Sequence, residues 1–496
     1  MTEKKIKIIP HTHWDKEWYF TSARSLVYSL KGFDEVLDTL DADPDFKCFH
    51  LDGQLSIVEE YLELHPEREE QFARLVKEGR LIIGPWYTQP DTLVVSGESL
   101  LKNLEIGIKL AEKYGGHQSI GYLPDSFGMS SQMPQIYHYM GLKYAFFRRG
   151  IAKHLVDNRE FMWECPAGTK MFTHNLHHYG NMAYPPNGKE EIKAYYQEMI
   201  DKLGDSSLSD TILLYNGEDQ KPIRKNLPEL VKIGNESGEY SVEIDTLENA
   251  LASIQQEYLD KKLPLPTYTG EFTFGQFSRT HKSIFSTRVD LKQLNNHLEN
   301  YLSNIVEPLS VLASDAGSKY ESILIDNIWK LMLLNSAHDS IGNCNSDWTN
   351  EDIKARYVKA KSLAEELVEF KMREIGQQVK QLDFTQFQVY NLLPNERSGF
   401  IDIELYTPYK QFTILDADGV ETKFVVNQVD EVTDSYLKKS IKEIGVNNEL
   451  DADWPNKISR LYRVQITLCA EKLSSMGYQT YYFKEMGDEY EYKKSN

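Results

Sequence analysis

The residues best suited to chemistry lie in four short polar segments. His11-Thr12-His13-Trp14-Asp15 sets two imidazoles and a carboxylate at alternate positions, and residues two apart on extended backbone project to one side. His13 and Asp15 can therefore reach one ion together. Nitrogen and carboxylate ligands suit zinc, and cobalt, manganese and calcium fit by ligand type as well; a polar strand end without an ion has the same spacing. Pro124-Asp125-Ser126-Phe127-Gly128 offers a carboxylate beside a glycine that permits a tight turn, a pattern shared by pocket loops and ordinary Asp-Gly turns. Asn216-Gly217-Glu218-Asp219-Gln220 sets two carboxylates side by side, for proton transfer or for a solvated acidic turn. In Ala337-His338-Asp339-Ser340 an imidazole and a carboxylate stand toward the end of an apolar helical run, with Leu334 as the apolar neighbour on the His338 face. A core histidine fits that setting, but Asp339 is costly to bury unpaired, which favours a polar cleft.

Regular elements must bring these segments together. Ile6, Ile8 and Ile9 form an apolar run that ends at Pro10, short enough for a buried strand. Further strand candidates cover about 46–51, 81–83, 119–123, 144–147, 171–173, 212–215 and 240–244, most of them followed by helical sequence such as 98–114. Repeated βα units imply a largely parallel sheet or barrel, and such folds collect their chemistry at the carboxyl ends of the strands. Trp18, Trp86 and Trp163 lie near those ends or in the following loops, where an aromatic face serves sugar stacking or core packing. Arg148 and Arg149 follow a strand and can pair with a ligand carboxylate or with an acidic side chain of the chain itself.

From about Ser286 the pattern changes to long helices, ending with a Lys- and Glu-rich one over about 351–380, which reads as a small bundle. Past Gln381 short alternating runs such as Phe412, Ile414, Phe424 and Val426, separated by Asp418-Gly419, read as β structure. The expected domains are 1–270, 271–380 and 381–496, in keeping with a length of 496 residues. A net charge of −20 argues against a nucleic-acid surface, which needs clustered Lys and Arg. The four cysteines are far apart and form no metal pattern, and no apolar run is long enough for a signal peptide or a membrane span. The expectation is a soluble cytoplasmic protein.

In order and spacing, these residues resemble the glycoside hydrolase family 38 α-mannosidases. The likeness rests on 11–18 (His-Thr-His-Trp-Asp-Lys-Glu-Trp), His50-Leu51-Asp52-Gly53-Gln54, Gly97-Glu98-Ser99, and the segments around Asp125, Asp219 and His338. Trp14, Lys16-Glu17 and the Asn-Gly before the second acidic site are similar to the bacterial branch that includes mannosylglycerate hydrolases. The resemblance implies one zinc ion held by His13, Asp15, Asp125 and His338. It implies Asp125 as nucleophile, Asp219 as general acid/base, Trp18 and Asp339 as sugar contacts, and His11 as a supporting residue. The implied fold is an α/β barrel-like domain of seven parallel strands, a three-helix bundle bearing His338 and the beginning of a β-sandwich region.

The implied reaction is retaining hydrolysis of terminal α-D-mannosides. The substrate is a mannoside or small mannose-containing oligosaccharide, mannosylglycerate among them, and a homo-oligomer is compatible with the family pattern. Family members continue for several hundred more residues, so the chain is expected to be incomplete relative to them. Two rival readings are a metal-dependent amide or ester hydrolase, and a mannoside-binding protein without turnover.

Overall fold

The computed structural model describes residues 4–236, 238–382, 385–435 and 460–487. The chain forms two compact units, residues 1–299 with 323–363, and residues 300–322 with 364–496.

In the first unit, β1 (Lys4–Thr12) is the central strand, and its last seven residues are buried. The other strands are β2 (Phe49–Leu51), β3 (Leu81–Ile82), β4 (Ile120–Leu123), β5 (Tyr144–Phe147), β6 (Glu160–Glu164), β7 (Lys170–Asn175), β8 (Thr211–Asn216), β9 (Tyr240–Ile244) and β10 (Thr267–Thr269). Between and after them run α1 (Ser22–Ala42), α2 (Ser56–Leu64), α3 (Glu69–Lys77), α4 (Gly97–Tyr114), α5 (Met133–Tyr139), α6 (Lys189–Leu203), α7 (Leu227–Asn235) and α8 (Leu247–Asp260). One sheet has the order β3-β2-β1-β8, with β9 also on β1, all parallel. Pro10 has no N–H to donate. It falls where β1 changes partners, after the β9 pairing ends at Ile8 and before the β2 pairing starts at His11.

The second sheet has the order β10-β6-β7-β5-β4, and β6 runs antiparallel to β7. The expected seven-stranded parallel set is thus divided between two five-stranded sheets, with one hairpin inside the second. That hairpin turns through Gly168, whose φ of 85° favours glycine, and is closed by Cys165 N donating to Thr169 O at 2.9 Å. The two sheets nevertheless share one core, which keeps the arrangement barrel-like. Ile9, Tyr122, Phe146, Phe172, Leu213 and Tyr215 pack together with α8, while the alternate residues Leu123, Ala145, Phe147 and Met171 face α4 and α5. Two polar seams join the sheets. Gln118 N donates to Ile83 O (3.1 Å), and Asn181 accepts from Tyr215 N (2.7 Å) while donating to Leu213 O (3.2 Å).

The helices that follow are α9 (Val289–Tyr301), α10 (Glu307–Asp315), α11 (Ser322–Ser336), α12 (His338–Gly342) and α13 (Asp347–Gln378). His338 does not end the apolar helix as its local sequence suggests. The helix stops at Ser336, Ala337 is extended (φ −49°, ψ 139°), and His338 opens a separate short turn, so the expected stacking on Leu334 has no helical basis. The segment 323–363, which carries His338, belongs to the same compact unit as the strands.

The second unit contains β11 (Gln386–Asn391), β12 (Arg397–Thr407), β13 (Phe412–Asp416), β14 (Phe424–Glu431), β15 (Tyr462–Leu473) and β16 (Gly477–Glu485). They form two antiparallel sheets, β11-β16-β13 and β12-β15-β14. Their inner faces meet through Phe412, Ile414, Val464, Ile466, Leu468, Tyr481 and Phe483.

Candidate metal centre and active site

The parallel strands bring the polar segments to one rim. β1 extends past Thr12 into a fully buried stretch, with His13 1% and Asp15 5% exposed. Asp52 follows β2, Asp125 follows β4, Arg148 and Arg149 follow β5, and Asp219 follows β8. The pairing of β1 with β8 ends at Pro10 and Asn216, then resumes as a single bridge between His13 and Asp219, with Gln220 N donating to His13 O at 2.7 Å. Between these contacts the two backbones nearly touch. A Cβ on Gly217 would lie 2.0 Å from His11 O, so the approach of the acidic turn to β1 requires glycine there.

Four sequence-predicted ligands converge. His13 Nε2 lies 3.1 Å from Asp15 Oδ1, and His338 Nε2 lies 3.5 Å from the same oxygen and 3.8 Å from Asp125 Oδ2. Asp339 Oδ2 is 3.7 Å from His338 Nε2. Among the described residues, His13 Nε2, Asp15 Oδ1 and His338 Nε2 are buried side-chain atoms without a hydrogen-bond partner. Three orphaned polar atoms at one point are costly unless something satisfies them. Donors about 2.0–2.2 Å from a zinc ion stand roughly 3.3–3.6 Å apart at the edges of a tetrahedron, so the donor set and its spacing fit a divalent cation.

The neighbours orient these donors. Asp52 is fully buried, with Oδ1 2.9 Å from His13 Nδ1 and Oδ2 accepting from Trp14 N (2.8 Å) and Gln54 Nε2 (2.9 Å). A carboxylate on one ring nitrogen leaves the other to face a metal. For His13, burial pulls the pKa down, but Asp52 and Asp15 outweigh it and hold the ring well above its ordinary value, so cation binding at neutral pH must displace a proton. His338 goes the other way, because burial outweighs Asp15 and Asp125 and keeps it neutral. Burial pushes Asp125 up, yet Arg149, His13, His338 and Arg148 reverse this and leave it below the ordinary range. Arg149 Nη2 holds Asp125 Oδ1 at 2.5 Å and Arg148 Nη1 reaches it at 3.3 Å, which leaves Oδ2 toward His338. Both arginines therefore pair within the chain.

Asp219 carries the opposite perturbation. Burial raises its pKa above the ordinary value, Asp15 and Asp125 add to the rise, and His13 and the Tyr179 hydrogen bond oppose it. Tyr179 OH donates to Asp219 Oδ1 at 2.8 Å. One rim thus holds a carboxylate kept ionised and another pushed toward its acid form, the division of labour needed for acid–base chemistry.

Family models match most of this chain: the glycosyl hydrolases family 38 N-terminal domain over residues 3–271, and the alpha mannosidase middle domain over residues 279–375. The chain belongs to glycosyl hydrolase family 38. The putative mannosylglycerate hydrolase of Halalkalibacterium halodurans is 30% identical over 396 residues, covering 77% of this chain and 44% of that protein. An alpha-mannosidase of Saccharomyces cerevisiae is 24% identical over 359 residues, 68% of this chain and 31% of that one. The crystal structure of an alpha-mannosidase from Enterococcus faecalis superposes with a TM-score of 0.81 at 26% identity, covering 98% of this chain and 56% of that chain. The chain spans less than half the length of these curated relatives.

The remaining expected residues of this family 38 chain divide between site and scaffold. His11 Nε2 is turned to Tyr179 O at 2.6 Å, away from the cluster. Trp18 is half-buried, with its ring on Tyr19 (4.7 Å) and its carbonyl accepting from Ser346 N and Thr349 Oγ1. Asp339 is buried and held by the Cys344 thiol at 2.9 Å, with burial and then Asp15 pushing its pKa well up. Trp86 and Trp163 are fully buried core residues.

Sequence reasoning missed the strut 88–91. Its Thr88 Oγ1 donates to Leu333 O (2.7 Å), Gln89 O accepts from His338 N (2.9 Å), Gln89 Nε2 donates to Asp52 O, and Asp91 Oδ2 accepts from Phe127 N (2.9 Å). One short segment thereby ties together the His338 turn, the Asp125 loop and the residue that orients His13. Among the described residues, no helix is long and apolar enough to cross a membrane.

Proposed function

We propose that this chain hydrolyses terminal α-D-mannosides with retention, by double displacement at the rim of the first unit. The observation that carries the reading is the convergence of unpartnered His13, His338 and Asp15 donor atoms with Asp125, beside an Asp219 whose acid form is favoured. His13, Asp15, Asp125 and His338 would hold one zinc ion, which when bound supplies a template for adjacent sugar hydroxyls and electrostatic stabilisation. Asp125, kept ionised and pinned by Arg149 through Oδ1, attacks the anomeric carbon. Asp219 gives its proton to the departing glycosidic oxygen, then takes one from water as that water cleaves the mannosyl–Asp125 ester. Tyr179 holds the Asp219 carboxyl in place, Asp339 binds a sugar hydroxyl, and Trp18 packs on the ring.

The residues 1–270 form the catalytic domain in this reading, and four free cysteines support a cytoplasmic setting. The test is hydrolysis of an aryl α-mannoside by zinc-loaded protein, with the first-formed anomer read by NMR. The expected product is α-mannose, and Asp125→Ala abolishes turnover. Release of β-mannose, or full activity in Asp125→Ala, contradicts the nucleophile role. Cleavage of an acylated amino sugar alone favours the rival amide or ester hydrolase.

A further inference from the structure

Asp15 is followed by two opposite charges that the proposed reaction does not use, Lys16 and Glu17, and both are buried, at 4% and 1% exposure. They anchor one stretch of chain in two directions. Lys16 Nζ pairs with Glu60 of α2. Glu17 Oε1 accepts from Ser340 Oγ of α12 at 2.6 Å and from Arg356 Nη2 of α13, and Arg356 Nε donates to Asn335 Oδ1 of α11 at 2.6 Å. Ser340 and Asn335 are fully buried. One carboxylate thus joins the segment that carries Asp15 to three helical elements of the same compact unit.

Two of these anchor points stand next to candidate ligands. Glu17 lies two residues after Asp15, and Ser340 two residues after His338. The His338–Gly342 turn has five residues and no side-chain cap. A helix so short does not hold its own shape, so its placement depends on outside contacts. Its first residue is tied to the strut through His338 N and Gln89 O, and its far end is fastened by Lys292 Nζ donating to Asn343 Oδ1 at 2.7 Å. The Ser340 hydroxyl supplies a tie between these two, and that tie runs to the segment of Asp15.

Stability alone accounts poorly for this node. Glu17 Oε2 is buried without a hydrogen-bond partner, which costs free energy. An ion pair taken out of water also contributes little beyond what apolar side chains of similar volume would. What the node does supply is one fixed geometry. We infer that Glu17, Arg356 and Ser340 are positioning residues for the cation site: they set the approach of His338 Nε2 to Asp15 Oδ1, 3.5 Å apart, and through it the affinity and geometry of the bound ion. The inference rests on the metal site of the mannosidase reading and adds residues outside its donor set.

The test measures zinc affinity by chelator competition at fixed pH, together with the visible absorption of the cobalt(II)-loaded protein, which reports coordination geometry. Circular dichroism of each metal-free variant establishes that it is folded, and in folded protein a loss of global stability moves neither readout. Ser340→Ala is the mildest variant, because Glu17 Oε1 keeps Arg356 and no buried group is stranded. Glu17→Met combined with Arg356→Met removes the whole ion pair. Each should weaken zinc binding by on the order of tenfold, the lower end of what loss of an orienting partner costs, and should shift the cobalt absorption. Lys7→Met breaks a buried pair with Asp245 in the amino-terminal half of β1 and should leave both readouts at the parent values. Parent-like affinity and absorption in either folded variant overturn the positioning role and leave the metal site standing; if the double variant does not fold, Ser340→Ala decides. An equal loss in Lys7→Met also overturns it, since any broken buried pair would then loosen the site. If the parent binds no zinc, the metal site falls and this inference falls with it.

Discussion

Replacing Asp52 with asparagine keeps the shape of a fully buried side chain and reverses the polarity of one hydrogen bond. In the parent, Oδ2 already accepts from two donors, Trp14 N and Gln54 Nε2, and Oδ1 faces His13 Nδ1 at 2.9 Å. A carboxylate only accepts, so His13 keeps a proton on Nδ1, and the proton that a cation displaces is the one on Nε2. Asparagine has one oxygen, and placing its NH2 against Trp14 N and Gln54 Nε2 would oppose donor to donor. The oxygen therefore stays there, the NH2 turns to His13, and the imidazole must accept on Nδ1 and hold its proton on Nε2. That nitrogen is the one facing Asp15 at 3.1 Å. Loss of such an orienting partner typically lowers metal affinity by about 10–100-fold, or about 1.4–2.8 kcal/mol. The assay is zinc affinity at fixed pH by competition with a chromophoric chelator, with melting of the metal-free protein measured separately to show that the variant folds. A folded Asp52→Asn protein that binds zinc as tightly as the parent refutes both the tautomer argument and the role of His13 Nε2 as a ligand.

Removing the metal should lower thermal stability, since a cation held only by the folded chain at about a thousand times its Kd adds about 4 kcal/mol; unchanged melting after verified chelation contradicts a structural contribution. Asp219→Asn should cost on the order of 10²–10⁴ in kcat on substrates with poor leaving groups, and much less on an activated aryl mannoside, which departs without a proton. Equal losses on both would contradict the acid role. Asp91 is buried, and that burial raises its pKa from 3.8 to about 6, against the pull of the Phe127 and Leu93 N–H groups. A raised folded-state pKa means that its contribution to stability is complete below pH 3.8 and is lost as pH rises through about 6. The destabilisation caused by Asp91→Asn should therefore shrink by up to about 3 kcal/mol across that window, read as the difference between two urea titrations at each pH. A gap that stays constant across that window would show that Asp91 is ionised in the folded chain throughout it.

What the sequence made legible follows from which forces are local. Apolar runs of strand length closed by Pro, Gly or Asp marked most of the parallel strands, and because parallel strands end at one rim, Asp125 and Asp219 could be read as neighbours before any contact was known. The alternation of His13 and Asp15 likewise survives as a 3.1 Å approach. The short strands β6 and β10 carry no such signature, since their place is set by pairing with β7 and with each other's edge, not by their own pattern. His338 illustrates the limit most clearly. Its local sequence continues an apolar helix, yet Ala337 leaves the helix to bridge Pro90, and His338 N donates to Gln89 O. Those partners lie some 250 positions earlier in the chain, and no window of helical periodicity contains them. The strut 88–91 also holds the Asp125 loop through Phe127 N and the Asp52 carbonyl through Gln89, so the backbone contacts that break the helix are continuous with those that set the other candidate ligands. The side chains that can bind a cation were legible from their types; the device that aims them is a piece of irregular backbone, visible only once the strands have closed around it.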